Sequence, residues 1–325
     1  MTPLRWGFLS TARINDLVLA GARRSRLAEV VAVASRDRQR AQAYARERGI
    51  ERAYGAYEEL LADGDVEAVY VSLPNALHVE WSLRALEAGK HVLCEKPLTR
   101  RPDEAEDAFA AAERRGLVLA EAFMWRHHPQ TQRLVQLVEG GTIGDLRLIR
   151  AAFSWTADDP RDVRLLAELD GGSLLDVGCY CVNAARLLAG EPLRVFAQPV
   201  PSRAGVDLRL AATLVHPGAV LTVFDSAFDL PEREELEVVG SRGSIRLGDP
   251  WHGWTAPTLE VRREDGAETI ALEPVDPYRL ELEDFAAAAR GARAPLLGRA
   301  DAVGQARVLD ALLRSAETGR PVELP

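Results

Sequence analysis

Short apolar runs alternate with amphipathic stretches through the first third of the chain. Leu4 to Leu9 reads as a buried strand, and apolar positions then recur at helical spacing from Ile14 to Ala20. Glu29 to Asp37 is a second apolar run, ending in Ser-Arg-Asp, and a helix is expected from near Arg38. Val66 to Leu73 reads as a strand ending at Pro74 and Asn75. HVEWSLRALEAG follows as a helix closed by Gly89, then HVLCE as a strand. Asp103 to Arg115 is helical and Leu117 to Met124 strand-like. Strands alternating with helices at this spacing predict a parallel sheet with crossover helices. The α/β unit is expected to span residues 1–122.

The pattern changes at Leu146. LRLIRAAFSW, Val195 to Val200, Leu208 to His216, Ala219 to Phe228, Glu235 to Val239 and Ser244 to Leu247 read as strands with one exposed face. HPGA at 216–219 and SRGS at 241–244 fit tight connections. Residues 123–325 are therefore expected to form an α+β domain with a mainly antiparallel sheet. Its bare face suits an oligomer interface, and a tail helix from Asp301 to Thr318 could pack back on the first domain. Among these strands lies GGSLLDVGCYCVNAARLLAG, read as one helix from about Leu174 to Leu188. Asp176 and Tyr180 are then i and i+4, with Asn183 on roughly the same face.

Composition narrows the classes. A chain of 325 residues is more than a single core usually fills, which agrees with two domains. No run approaches the length needed to cross a bilayer, and the N-terminus lacks the apolar region of a secretory signal. The formal charge of -9 argues against a general nucleic-acid binder. Cys94, Cys179 and Cys181 include no CxxC pair and read as reduced, cytoplasmic thiols. Their spacing is poor for a metal and no histidine cluster supports one, so no metal is expected.

The first candidate chemistry is the turn after the first strand. In WGFLSTARI, Gly7 and Ala12 stand where the first and third small residues of a dinucleotide turn would be. Gly7 would make the turn, Ala12 would let the helix approach, and the Ser10 hydroxyl would meet a phosphate oxygen. Leu9, Thr11 and Arg13 complete the candidate set; an ordinary strand-to-helix turn is the alternative. At the second strand end, Ser35 and Arg36 occupy the tip, where a guanidinium can grip a 2'-phosphate in a forked pair. This favours NADP over NAD. Asp37 is either an acidic tip residue or a helix cap, and Arg36 also reads as a solvated loop arginine. The third candidate is GKHVLCEKP. It sets Lys96 between Glu95 and Pro97 at a strand's C-terminal end, where open α/β sheets bind ligands.

WGFLSTARI, VSLPNALH, GKHVLCEKP, EAFMWRHHP and LLDVGCYCVN together resemble one family. It comprises the NAD(P)-dependent oxidoreductases named after glucose-fructose oxidoreductase, inositol dehydrogenase and a rhizopine-catabolism protein. The resemblance covers nearly the full length. It implies a Rossmann domain, a C-terminal domain on a large open sheet that mediates homodimers or homotetramers, and hydride transfer between a nicotinamide and a hydroxyl carbon.

Lys96 matches the family's active-site lysine, and Asp176 the carboxylate that binds substrate. Tyr180 stands where many members have histidine. Leu73, Pro74, Asn75, His78 and Glu95 are expected near the cofactor, and Arg126, Trp155, Asp176 and Asn183 near the substrate. The tyrosine version resembles NADP-dependent D-xylose 1-dehydrogenases and dihydrodiol dehydrogenases. The leading expectation is therefore oxidation of an aldose of the D-xylose or D-glucose type at C1 to its lactone. The alternatives are a keto-sugar reductase, a trans-dihydrodiol dehydrogenase and, in another class, a catalytically silent NADP-binding regulator. Tyr180 is the expected proton acceptor, its phenolate stabilised by the Lys96 ammonium. Proton transfer by Lys96 itself is the alternative. Ser10, Trp125 and His127 depart from the common pattern.

Overall fold

A computed structural model describes residues 2–254 and 257–325. They form two compact units, one of residues up to 124 with 276–303, the other of the described residues between 125 and 275 with 304–325.

The first unit opens as β1 (Leu4–Leu9), α1 (Ile14–Arg24), β2 (Ala28–Ala34), α2 (Arg38–Arg48), β3 (Arg52–Tyr54) and α3 (Tyr57–Leu61). It continues with β4 (Ala68–Val71), α4 (His78–Glu87), β5 (His91–Glu95), α5 (Pro102–Arg114) and β6 (Leu119–Ala122). The six strands are parallel, in the order β3-β2-β1-β4-β5-β6. The expected α/β alternation is present, and the strand order reverses between β1 and β4.

Local chemistry explains the boundaries. Asp37 accepts the amides of Gln39 and Arg40 at 2.8 and 3.2 Å and so starts α2. Gly49 ends that helix at φ 61°. α5 starts at Pro102, whose missing N–H costs nothing in a first turn.

Gly7 corrects the sequence reading. It lies within β1 opposite Ala32 and Val69, not in the turn. A Cβ there would come within 2.6 Å of Leu60 Cδ2, so the glycine lets α3 lie close against the strand. The core of this unit includes Trp6, Phe8 and Tyr70, all wholly buried. The returning segment contributes Phe285, whose ring sits 5.0 Å from that of Trp6.

In the second unit come α6 (Pro129–Glu139) and β7 (Leu146–Thr156), then a π turn, Leu174–Gly178, running into α7 (Cys179–Ala189). Then follow β8 (Arg194–Pro201), β9 (Asp207–Val215), β10 (Leu221–Ala227), β11 (Asp229–Gly240), β12 (Gly243–Leu247), β13 (Thr258–Arg263) and β14 (Gly266–Ala271). α8 (Pro277–Ala289) belongs to the first unit, the division falls within α9 (Arg299–Thr318), and β15 (Val322–Glu323) ends the second.

Nine strands pair in the order β14-β13-β12-β11-β7-β10-β9-β8-β15, antiparallel except for β7 beside β10. Along β10, Thr222, Phe224 and Ser226 point inward while Leu221 and Val223 are exposed. The inner face packs on α7. On the outer face lies a groove of about 600 Å³ whose walls include Leu148, Arg150, Val223, Asp225 and Arg246. This is the mainly antiparallel, one-sided sheet that the alternation of the second half predicts.

Candidate active site

The first unit places Thr11 to Arg13 after β1, Ser35 and Arg36 after β2, Leu73 to Asn75 after β4, and Lys96 after β5. All stand at the C-terminal ends of parallel strands, the edge where doubly wound sheets bind ligands. No side chain caps the start of α1, so its first amides face no competing carboxylate or hydroxyl. That suits a diphosphate.

Ser10 has φ 152°, a region that favours glycine. Its hydroxyl lies 2.9 Å from the Ser72 carbonyl, to which it donates, and accepts the Ala12 amide at 3.0 Å. The buried Asn15 side chain donates to the Ser10 carbonyl at 2.9 Å and accepts from Ser72 Oγ at 2.6 Å. The sequence reading gave the Ser10 hydroxyl to a phosphate oxygen. In the structure it instead ties the turn after β1 to the end of β4. Asn15 and Ser72 went unnoticed because short polar residues near strand ends carry no distinctive pattern.

The tip of β2 is resolved in its chemistry. Asp37 is occupied as a cap, which leaves Arg36 as the exposed charge, reaching the Tyr57 phenol. Ser35 is buried and its hydroxyl accepts the Asp37 amide at 3.3 Å.

Lys96 is fixed from two sides. The Lys96–Pro97 peptide is cis. The Pro97 carbonyl lies 2.8 Å from His78 Nδ1, and the Leu98 amide donates to the buried Glu121 carboxylate at 2.7 Å. His78 Nε2 lies 2.8 Å from the Leu73 carbonyl, so this wholly buried ring braces the loops after β4 and β5. Burial first, with a smaller contribution from the Lys96 charge, lowers the His78 pKa although the two carbonyls favour its charged form.

Next to Lys96, the Glu95 carboxylate accepts a hydrogen bond from Tyr70, whose pKa is pushed well up by burial and then by Glu95. Glu281 of α8 is also buried, and its Oε1 has no partner among the described residues. Burial first, then the charges of Glu95 and Asp284, raise its pKa well above the usual range. The folded chain thus keeps a proton that the unfolded chain releases above about pH 4.5. Stability from this group falls as pH rises, by about 1.4 kcal/mol per pH unit, until the folded pKa is reached. Glu281→Gln should remove that slope. Denaturation of both chains at mildly acidic and mildly alkaline pH checks it, and parallel pH profiles would refute it.

In the second unit, the expected continuous helix from 174 to 188 begins instead as a π turn, which carries Asp176. Such turns occur mostly as local widenings and often at functional sites. The buried Asp207 of β9 fixes its start, accepting from Ser173 Oγ at 2.7 Å and from the Leu174 amide at 2.8 Å. Gly172, at φ 118°, is required there, since a Cβ would meet Asp207 Oδ1 at 2.2 Å. Gln305 of α9 donates to the Cys179 carbonyl at 2.8 Å.

Asp176 Oδ2 lies 3.3 Å from Arg164 Nε. Tyr180 is buried in an aromatic wall, 5.4 Å from the ring of Phe153 and 5.7 Å from that of Trp251. Asn183 is wholly buried. It accepts from Arg126 at 3.2 Å and lies 3.4 Å from Gln305 Oε1, so it holds Arg126 and α9. Trp155 packs edge-on against Phe228 at 5.1 Å. His128 caps α6 by accepting the Gln130 amide at 3.0 Å. Arg164, Phe153 and Trp251 were not foreseen; the sequence offers only a polar loop and scattered aromatics. Cys94, Cys179 and Cys181 are buried and form no disulfide among the described residues, and the Cys179 thiol donates to the Asp176 carbonyl at 3.2 Å.

Among the described residues, one triad, Glu234, Asp249 and His252, brings potential metal ligands within 4.8 Å of one another. Its members are already engaged. His252 Nδ1 lies 2.8 Å from Glu234, and Asp249 accepts the amides of His252 and Trp254.

A doubly wound parallel sheet carrying a lysine at a strand end, joined in one chain to a large one-sided sheet, defines a Rossmann-type oxidoreductase. Residues 4–123 match the model of an oxidoreductase family with an NAD-binding Rossmann fold, and residues 131–246 match the GFO/IDH/MocA C-terminal domain. The chain belongs to the Gfo/Idh/MocA oxidoreductase family.

It is 40% identical to an NADP-dependent D-xylose 1-dehydrogenase of Haloferax volcanii, over 99% of this chain and 100% of the relative. It is 35% identical to a trans-1,2-dihydrobenzene-1,2-diol dehydrogenase of Bos taurus, over 80% of this chain and 78% of that one. Among solved structures, a 3-ketoreductase from Actinomadura kijaniata, in complex with NADP and TDP-benzene, superposes with a TM-score of 0.91. It is 34% identical, over 96% of this chain and 98% of that one.

Proposed function

We propose that this protein is an NADP-dependent sugar dehydrogenase that oxidises an aldose of the D-xylose or D-glucose type at C1 to the lactone. The observation that carries the reading is the end-to-end 40% identity with the D-xylose 1-dehydrogenase. A second reading, reduction of a keto-sugar, draws on the likeness to the 3-ketoreductase. Solved forms of that enzyme include one with a tyrosine replaced by phenylalanine. Others have a lysine replaced by glutamate or alanine.

The residues fit the cofactor. The uncapped start of α1 suits the diphosphate, and Arg36 suits a 2'-phosphate because Asp37 is withdrawn into a cap. Leu9, Ser10, Thr11, Ala12, Arg13, Ser35, Leu73, Pro74, Asn75 and Glu95 frame the same strand ends, with His78 bracing them. When bound, NADP supplies hydride exchange. The chain supplies position and charge. Lys96 hydrogen-bonds the reacting oxygen and stabilises negative charge on it. Tyr180, as the phenolate, takes the hydroxyl proton, and as the phenol gives it back in the reverse direction. Asp176 binds a neighbouring sugar hydroxyl, and Arg126 and Trp155 line the substrate side. The enzyme works in the cytoplasm, as its reduced thiols suit. It works as a homodimer or homotetramer through the open sheet face.

Nicotinamide absorbance with NADP or NAD against aldoses, keto-sugars and trans-dihydrodiols tests this. Turnover of D-xylose or D-glucose with NADP supports it; turnover of only a diol or a keto-sugar replaces the substrate. Arg36→Asp should raise the KM for NADP roughly 10- to 100-fold, the worth of about 1.5–3 kcal/mol for a hydrogen bond to a charged group. The KM for NAD should change little. Equal effects on both cofactors would remove Arg36 from the phosphate site.

A further inference from the structure

Between β7 and the π turn lies a polar strap, residues 157–172, with two short turns of its own at Val163–Leu165 and Ala167–Leu169. Its main chain closes on itself just ahead of the segment that carries Asp176, and the Asp176 amide donates to the Gly172 carbonyl at 3.1 Å. The Gly172 amide donates to the Arg164 carbonyl at 2.8 Å, and the Gly171 amide to the Leu166 carbonyl at 3.1 Å. Only glycine fits at 171, because a Cβ would stand 2.3 Å from the Arg164 carbonyl oxygen. Arg164 thus holds Gly172, where the chain enters that segment, through its backbone oxygen.

Its side chain holds the same segment again. Nε lies 3.3 Å from Asp176 Oδ2, and Nη1 lies 3.2 Å from both Asp162 oxygens. The guanidinium carbon lies 5.6 Å from the centre of the Trp155 ring, within cation–π range. Asp162 also accepts the Arg164 amide at 2.9 Å, which fixes the turn from which the side chain extends. Asp176 is the strongest of the influences that raise the Arg164 pKa. A carboxylate on a π turn has no regular helical neighbour to set its rotamer, and a guanidinium anchored at both its backbone and its plane does so.

We propose that Arg164 is a positioning residue that sets the Asp176 carboxylate for an uncharged polyol. This rests on the reading of Asp176 as the group that binds substrate.

Charge argues for the uncharged class. The strap carries five carboxylates, Asp158, Asp159, Asp162, Glu168 and Asp170, against two guanidiniums, a net of -3. Arg161 is paired with Asp159, and Arg164 with Asp162 and Asp176. A diphosphate or a sugar acid brought to Asp176 would meet excess negative charge and two guanidiniums already neutralised. A sugar hydroxyl meets an oriented acceptor.

The test is a double-mutant cycle on the full-length protein with its preferred aldose and NADP. Arg164→Gln should raise the KM for the aldose about tenfold, leaving the KM for NADP and the melting temperature unchanged. Arg164→Lys should restore part of the loss, since a point charge lacks the fork. In an Asp176→Asn background, Arg164→Gln should cost little more, because the two act as one unit. Free aldoses should be turned over in preference to nucleotide-linked sugars. Additive losses, or an unchanged aldose KM in Arg164→Gln beside an impaired Asp176→Asn, would overturn the role of Arg164 and spare the proposed function. If Asp176→Asn itself were harmless, the reading of the site would fall and the role of Arg164 with it. Preference for a nucleotide-linked sugar would overturn the substrate class.

Discussion

Lys96→Met should lower kcat roughly a thousandfold, while NADPH still binds within about tenfold of its normal affinity. The size is that expected for losing the cation proposed to stabilise negative charge on the reacting oxygen. The loops around Lys96 are held by His78 and Glu121, so removing the ammonium should leave the scaffold standing. Lys96→Arg should not rescue turnover, because a planar guanidinium cannot replace a compact ammonium in a braced loop. Steady-state kinetics with a parallel NADPH fluorescence titration decides the matter. A Lys96→Met enzyme that kept a tenth of its turnover would remove Lys96 from the chemistry.

Trp251→Ala should lower the free energy of unfolding by about 3–5 kcal/mol, the range for deleting a large buried aromatic. Trp251 is wholly buried, and its Nε1 donates to the Ala152 carbonyl at 3.3 Å. Its ring lies 5.5 Å from that of Trp125, 6.2 Å from that of Phe153 and 5.7 Å from that of Tyr180. The alanine chain should therefore also lose turnover, because Tyr180 loses a wall. Trp251→Phe should recover most of the stability. Denaturation followed by circular dichroism measures the first effect, and a loss below about 1 kcal/mol would mean that the cavity collapses without cost.

Most of the first unit was legible because its strands are short apolar runs cut by strong punctuation. Asp37 starts a helix, Gly49 ends one, and Gly89 at φ 77° closes the turn before β5. Lys96 stood out for the same reason, as a charge directly after a buried strand. The one-sided sheet was legible from alternation in β9 and β10. β13 and β14 were not, because Thr258–Arg263 and Gly266–Ala271, the neighbour of the edge strand and the edge strand itself, break the apolar alternation with charged and polar residues.

The π turn could not be read, since widening one turn leaves the apolar pattern of LLDVGCYCV unchanged. Ser10 misled for a different reason. A hydroxyl beside an expected phosphate looks like a ligand, and only the positions of Ser72 and Asn15 reveal its local duty. Glu281 looks in sequence like the polar side of an amphipathic helix. Its burial depends on α8 packing against α1 and β2, far away along the chain.

The return of residues 276–303 to the first unit has a consequence for synthesis. Trp6 packs on Phe285, and Gly21 of α1 would meet the Arg279 backbone at 2.8 Å if it carried a Cβ. The nucleotide-binding half is thus missing one wall until almost the whole chain has left the ribosome. By then the strands of the later half, except β15, are already out. Domains usually mature from the N-terminus as they emerge. Here the earlier-made half is the one that must wait, with Trp6 exposed to whatever chaperone meets a nascent chain.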